Sequence, residues 1–271
     1  MIPFRCRRDG TGTPMIRNRD IRAYAERLAR DYRPELLKEA SPFPAEHFLE
    51  SYLGATLDYQ DLYYEKGESP IAGATVFRDE TIRVFDREGA CTRCIPVKAG
   101  TILIDNATVS AEKQGFERFT VLHEAGHYTM HAAAYLRAPE KSGIAERESG
   151  AGLVCCRRNA LVRTYGKRRH LTPAENREHQ ANTFAAFMAM PRQTFVPLAR
   201  ELIRKEGFSD GILSYTPDDW ECDYALENVC NALSEAYGVS YTAAQVHLRE
   251  LDLVLNYHIY EERKENMYYP G

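Results

Sequence analysis

Between Ala55 and Asn106, apolar and β-branched residues come in short runs: ATLDYQDLYY, IAGATVF, TIRVFD, RCIPVKAG and TILIDN. Runs of this length, broken by turn residues, predict four or five β-strands. FRDET, between IAGATVF and TIRVFD, predicts a tight hairpin. On both sides of this block the pattern has helical period. Asn18 or Asp20 starts a helix to about Arg33, with Ile21, Tyr24, Ala25 and Leu28 on one face. SPFPAEHFLESYLG predicts a short helix stopped at Gly54. Helices are also predicted over about Gly115–Ala134 and about Pro173–Met188. The second of these carries a start signal of Thr172, Pro173 and Glu175. The C-terminal stretch NVCNALSEAYGVSYTAAQVHLRELDLV reads as two helices joined at Gly238-Val239-Ser240. Residues 1–17 read as a poorly ordered basic tail, and residues 139–171 as a polar, basic insertion with little regular structure.

Strands grouped between helices predict an α+β fold. Composition is that of an ordinary globular chain, 44% hydrophobic and 27% charged. The formal net charge of −4 gives no overall basic field to draw nucleic acid. MIPFRCRRDG is not followed by the apolar stretch of a signal peptide. The longest apolar runs, such as FAAFMAM, fall short of a membrane span. The expectation is a soluble cytoplasmic protein without membrane partners, whose seven cysteines are free thiols or metal ligands rather than disulfides.

The segment FTVLHEAGHYTMHAA carries the chemistry. On a helix His123 and His127 lie one turn apart on one face, within reach of a single Zn²⁺. Glu124 points away from direct ligation and can act on a metal-bound water as general base. His131 lies about 12 Å along the axis from His123, too far to share the ion on a straight helix. It reads as a structural histidine suited to a helix C-terminus. Two histidines on a half-buried helix require polar partners. A third ligand must come from elsewhere, and Glu178 in EHQANTFAAFMAMP is the best candidate, with Glu175, His179 and His170 as rivals. Asn182 shares the Glu178 face and suits a supporting hydrogen bond.

In combination, Arg118 to His131, then Glu178, Ala181, Asn182, Phe184, Ala185, Met190 and Pro191, resemble the ImmA/IrrE-type metallopeptidases. KAGTILIDN and the helix-turn-helix-like LSEAYGVSYTAAQVHLRELDLV are similar to members too, so the resemblance covers roughly residues 21–254. It implies a zincin-like, thermolysin-like core in which His123, His127 and Glu178 hold one Zn²⁺ and Glu124 is the general base. It also implies a protein substrate of regulatory kind, such as a repressor, often encoded nearby in mobile elements or stress regulons. The chain then divides into a tail (1–17), a metallopeptidase domain (18–207) and a C-terminal helical subdomain (208–271). The insertion at 139–171 departs from the family pattern and lengthens the path between the two site helices.

Cys91 and Cys94, with Cys155 and Cys156, lack the spacing of a structural zinc site and read as ordinary thiols. Arg157, Arg158, Arg163, Lys167, Arg168 and Arg169 read as a solvated basic run, with an acidic substrate segment or an autoinhibitory contact as the alternative. TAAQVHLRELDLV lacks the positive charges that phosphate contacts need, so direct nucleic-acid binding is not expected. Tyr165, His170 and His179 are candidates for stabilising an oxyanion. Two other functions stand beside the peptidase: a non-catalytic protein that sequesters a repressor, and a DNA-associated regulator acting through the C-terminal helices.

Overall fold

A computed structural model describes residues 2–110, 113–136, 152–158, 171–216 and 219–261. In chain order its elements begin with α1 (Asn18–Tyr32), α2 (Ala45–His47) continued by a π-helical turn to Leu53, and β1 (Thr56–Gln60). Strands β2 (Ile71–Val76), β3 (Glu80–Asp86), β4 (Cys91–Val97) and β5 (Thr101–Asp105) follow. Next come α3 (Gln114–Met130), α4 (Ala132–Leu136) and β6 (Leu153–Arg157). The chain continues with α5 (Pro173–Ala189), α6 (Arg192–Lys205) and β7 (Leu213–Tyr215). It ends with α7 (Trp220–Tyr237), α8 (Tyr241–Glu250) and β8 (Val254–Asn256). The expected α+β class is the one observed, with a small mixed sheet.

That sheet runs in the order β1-β5-β2-β6. β1 is parallel to β5, while β2 is antiparallel to both β5 and β6. β5 is buried along its whole length, as the continuous run TILID suits. One face of the sheet packs on α3, chiefly through β2 and β5. The other face is covered by the β3–β4 hairpin, whose Ile82, Val84 and Val97 meet Ala74, Val76 and Leu103. FRDET is therefore not a hairpin between paired strands. β2 pairs with β5 and β6, and the chain leaves the sheet after Val76 so that β3 pairs only with β4.

Behind α3 lies α5, and behind α5 lies α1. The predicted apolar face of α1 is the buried one: Ile21, Tyr24, Ala25 and Leu28. Its N-cap is Arg17, whose backbone N–H donates to Asp20 Oδ2 at 3.0 Å. α5 carries the capping box anticipated from Thr172 and Glu175. α3 and α5 approach closely because α3 presents Gly126 to its neighbour. A Cβ there would stand 3.1 Å from Phe184 Cδ1 and 3.2 Å from Ala181 Cα. With sheet on one side and α5 on the other, α3 is enclosed all round through its middle, from Thr120 to His127.

Two expectations change. Residues 2–17 are not a loose tail. Arg8 Nη1 donates to Met130 O (2.8 Å), Tyr24 Oη to Ile2 O (3.1 Å), and Thr13 is fully buried. Residues 139–171 do hold regular structure: Leu153–Arg157 is β6, hydrogen-bonded to β2 along its length. Residues 139–151 and 159–170 lie outside the described ones. α7 and α8 meet at Gly238–Ser240 as predicted, with Gly238 left-handed (φ 57°) and Ser240 capping α8. Their buried side chains belong to the same core as α1, α3 and α5. Arg118 of α3 donates to Gly238 O, tying this region to the site helix.

Gly126→Val places branched carbon against Ala181 and Phe184. The expected outcome is a loss of about 1–3 kcal/mol of stability, the usual cost of overpacking, read as a lower urea midpoint.

Candidate metal centre

α3 delivers His123, Glu124 and His127 to a fully buried position, and α5 delivers Glu178 opposite them. His123 Nε2 and His127 Nε2 are 3.1 Å apart. Glu178 Oε1 stands 3.2 Å from His127 Nε2, and Glu178 Oε2 stands 3.3 Å from His123 Nε2. Donors held about 2.0–2.1 Å from one tetrahedral ion lie about 3.3–3.4 Å from each other. The three side chains therefore already stand at the separations of a coordination shell.

Hydrogen bonding aims the nitrogen lone pairs inward. Gln180 Nε2 donates to the Pro14 carbonyl (2.8 Å), which turns Gln180 Oε1 towards His131. His131 Nε2–H donates to that oxygen (3.0 Å), leaving its Nδ1 as acceptor. His127 Nδ1–H donates to His131 Nδ1 (3.1 Å), so His127 Nε2 is bare. On the other side His123 Nδ1–H donates to Asn182 Oδ1 (2.8 Å), so His123 Nε2 is bare as well. Two lone pairs and a carboxylate then converge, an arrangement compatible with a bound cation. Burial disfavours charge on His123, yet Glu178 outweighs it and raises its proton affinity. At Glu178 burial is overcome in turn by His127 and His123, which hold the carboxyl well below the usual range.

Glu124 faces the sheet. Thr75 Oγ1 of β2 donates to its Oε2 (2.6 Å), while its Oε1 is buried without a hydrogen-bond partner among the described residues. Gly73 makes room for this carboxyl, since a Cβ there would stand 2.9 Å from Glu124 Oε1. Burial pushes the Glu124 carboxyl up to about 7, against the opposing pull of His123 and Thr75.

Asn182 stands where the α5 spacing puts it, behind His123. His131 does not join the donor set but orients His127, a role that spacing alone does not reveal. The two described rivals to Glu178 are engaged elsewhere. Glu175 serves the α5 cap, His179 Nε2 lies 3.1 Å from Asn18 Oδ1, and His170 lies outside the described residues. Of the oxyanion candidates, Tyr165 and His170 also lie outside them. Sequence reasoning misses Gln180 and Pro14, which set the tautomers, and Thr75, which holds Glu124. It also misses Arg177, which donates to Tyr135 Oη (3.1 Å) and to Thr13 Oγ1 (2.8 Å) close to the site.

One further donor is present. Cys156 on β6 brings its Sγ into a group with His123 and Glu178 in which all donor atoms lie within 4.8 Å of one another. Cys156, read from spacing as an ordinary thiol, thus stands beside two of the converging donors. Cys91 and Cys94 are exposed on β4 and join no such group among the described residues. The basic run is not simply solvated either: Arg157 pairs with Glu68 (3.0 Å) and Arg158 with Asp105 (3.4 Å). Arg163, Lys167, Arg168 and Arg169 lie outside the described residues.

No protein-family model and no curated protein matches the chain. No helix among the described residues is long and apolar enough to cross a membrane. What the site itself defines is a His/Cys/Glu donor group compatible with a bound metal ion.

His123→Ala and Glu178→Ala each remove a converging donor and are expected to abolish stoichiometric zinc, read by elemental mass spectrometry. His131→Ala removes only the group that orients His127. It is expected to keep zinc but bind it about 10–100-fold more weakly, read by competition with a chromogenic chelator.

Proposed function

We propose that this protein is a zinc-dependent endopeptidase with a zincin-like core that cleaves a regulatory protein of repressor type. The observation that carries the reading is the convergence of two bare imidazole nitrogens and a carboxylate beside a second, buried carboxylate with one oxygen unpartnered. His123, His127 and Glu178 would hold one Zn²⁺, and the ion, when bound, acidifies a water and polarises a carbonyl.

The chain's own residues supply the rest of the chemistry. Glu124 Oε1 is the acceptor placed to take a proton from water, because Thr75 occupies Oε2. Having taken that proton, Glu124 can pass it to the departing amine. Thr75 keeps the carboxyl in place, and Asn182 and His131 keep the imidazoles from rotating. The choice of a repressor-type substrate rests on the likeness to ImmA/IrrE-type peptidases in the α3 and α5 motifs. Neither a nucleic acid nor a membrane is needed by this chemistry.

Glu124→Gln keeps every donor to the ion but cannot accept a proton. It is expected to retain one zinc per chain while cleavage falls by about 10²–10⁴-fold. The readout is the appearance of new protein N-termini in cells making either the wild type or a Cys156→Ala chain, each with and without Glu124→Gln. New termini that depend on Glu124 support the peptidase. Their absence from both Glu124-containing chains would sink it and leave a protein that only binds its target.

A further inference from the structure

In an antiparallel pair, residues directly opposite each other point to the same face of the sheet. Gly73 of β2 opposes Cys156 of β6, and Thr75 opposes Val154. Gly73 and Thr75 are the β2 residues that meet Glu124, through close approach and a hydrogen bond. Cys156 and Val154 therefore look towards α3. Leu153 and Cys155 look the other way, and both pack with Ala74 and Val76 against the β3–β4 hairpin. Cys156 is fully buried. Its Sγ lies within 4.8 Å of the donor atoms of His123 and Glu178. The unpartnered Glu124 Oε1 is on the same side, against Gly73.

A zinc ion held by three protein donors keeps a fourth position for the water it activates; filling that position with a protein donor closes the site. An extended substrate is held by pairing with a free strand edge next to such a site. Here β2 is the strand beside α3, and its outer edge is already taken by β6. The edge of β2 that a substrate strand would take is thus occupied by the chain itself. The same five-residue strand also brings a sulfur donor to within 4.8 Å of two of the three converging donors, His123 and Glu178.

We infer that Cys156 is the fourth ligand of the metal and that β6 is a self-supplied strand holding the peptidase latent. This rests on the metal-centre reading above. On ligation the Sγ–H bond breaks, its electron pair stays on sulfur as the donor pair, and the proton leaves to solvent. Water is then excluded from the ion until β6 is displaced from β2. Release of β6 frees the ion's fourth position and the strand edge together, so one movement opens both the chemistry and the peptide groove.

The test is X-ray absorption at the zinc edge on the full chain loaded with one equivalent of zinc, beside Cys156→Ala, Cys156→Ser and Cys155→Ala. The wild type and Cys155→Ala are expected to show one sulfur neighbour at about 2.3 Å. Both Cys156 variants should bind the same equivalent of zinc with nitrogen and oxygen neighbours only. Cobalt in place of zinc should give a sulfur-to-metal charge-transfer band that disappears with Cys156 alone. Hydrolysis of a quenched-fluorescence peptide pool is expected to rise on the order of tenfold or more in Cys156→Ala, because the water position is open. A wild-type zinc with nitrogen and oxygen neighbours only would overturn the inference and leave the three-donor centre standing. So would sulfur that persists without Cys156. Unchanged hydrolysis in a Cys156→Ala chain that binds zinc would overturn the latency. Failure of the wild type to take up any zinc would overturn the metal centre itself, and the inference with it. The wild-type spectrum decides the ligand question even where a variant does not fold.

Discussion

The structure depends on one costly arrangement: two buried imidazole lone pairs and a largely buried carboxylate brought together at one point. Each would be solvated in the unfolded chain, and buried polar atoms without partners are penalised by several kcal/mol in an apolar surrounding. The fold meets that cost with a hydrogen-bond relay on each side. The longer relay runs from the Pro14 carbonyl through Gln180 and His131 to His127. The shorter one is Asn182 on His123. These bonds satisfy every imidazole nitrogen of the three histidines except the two Nε2 atoms that face Glu178. The polarity that remains is concentrated at a point, and a cation is what complements it.

Such a centre needs rigid elements at close range. The helix that carries the histidines is held between a sheet and a second helix, and Gly126 lets the two helices touch backbone to side chain. The same closeness lets Glu178 reach both histidines across the gap. On the other side, Gly73 lets β2 lie directly on the Glu124 carboxyl, with Thr75 two residues on to bind it. Glycine at these two contacts determines the distances across the site. The convergence of the donors and the packing of the core are one problem in this fold.

Segments distant in sequence close the site. Residues 2–17 supply Pro14 and Thr13, which hold Gln180 and Arg177 in place. β6 adds a strand to the sheet and a sulfur beside the donors. A strand supplied by the chain itself requires no association step, so it would compete effectively with any peptide strand for the same edge. That gives a physical basis for control of the site by a movement of β6.

Helical period places His123 and His127 on one face, and the same period places Glu178 and Asn182 together on another helix. These relations are local, depend only on 3.6 residues per turn, and were legible in the residues. So were the capping box of α5, the glycine joint between α7 and α8, and the strand content of Ala55–Asn106. Strand partners were not legible, because pairing is decided by which edges meet in space. FRDET therefore looked like a hairpin, although β2 pairs elsewhere. The part played by Pro14, Gln180 and His131 was equally hidden, since it depends on a carbonyl 166 residues away from the amide it receives. Cys156 read as one thiol among seven because nothing in its neighbours marks the face it takes. Only the register of β6 against β2 turns it towards α3. A one-residue slip would have turned Cys155 there instead, since successive side chains on a strand point to opposite faces.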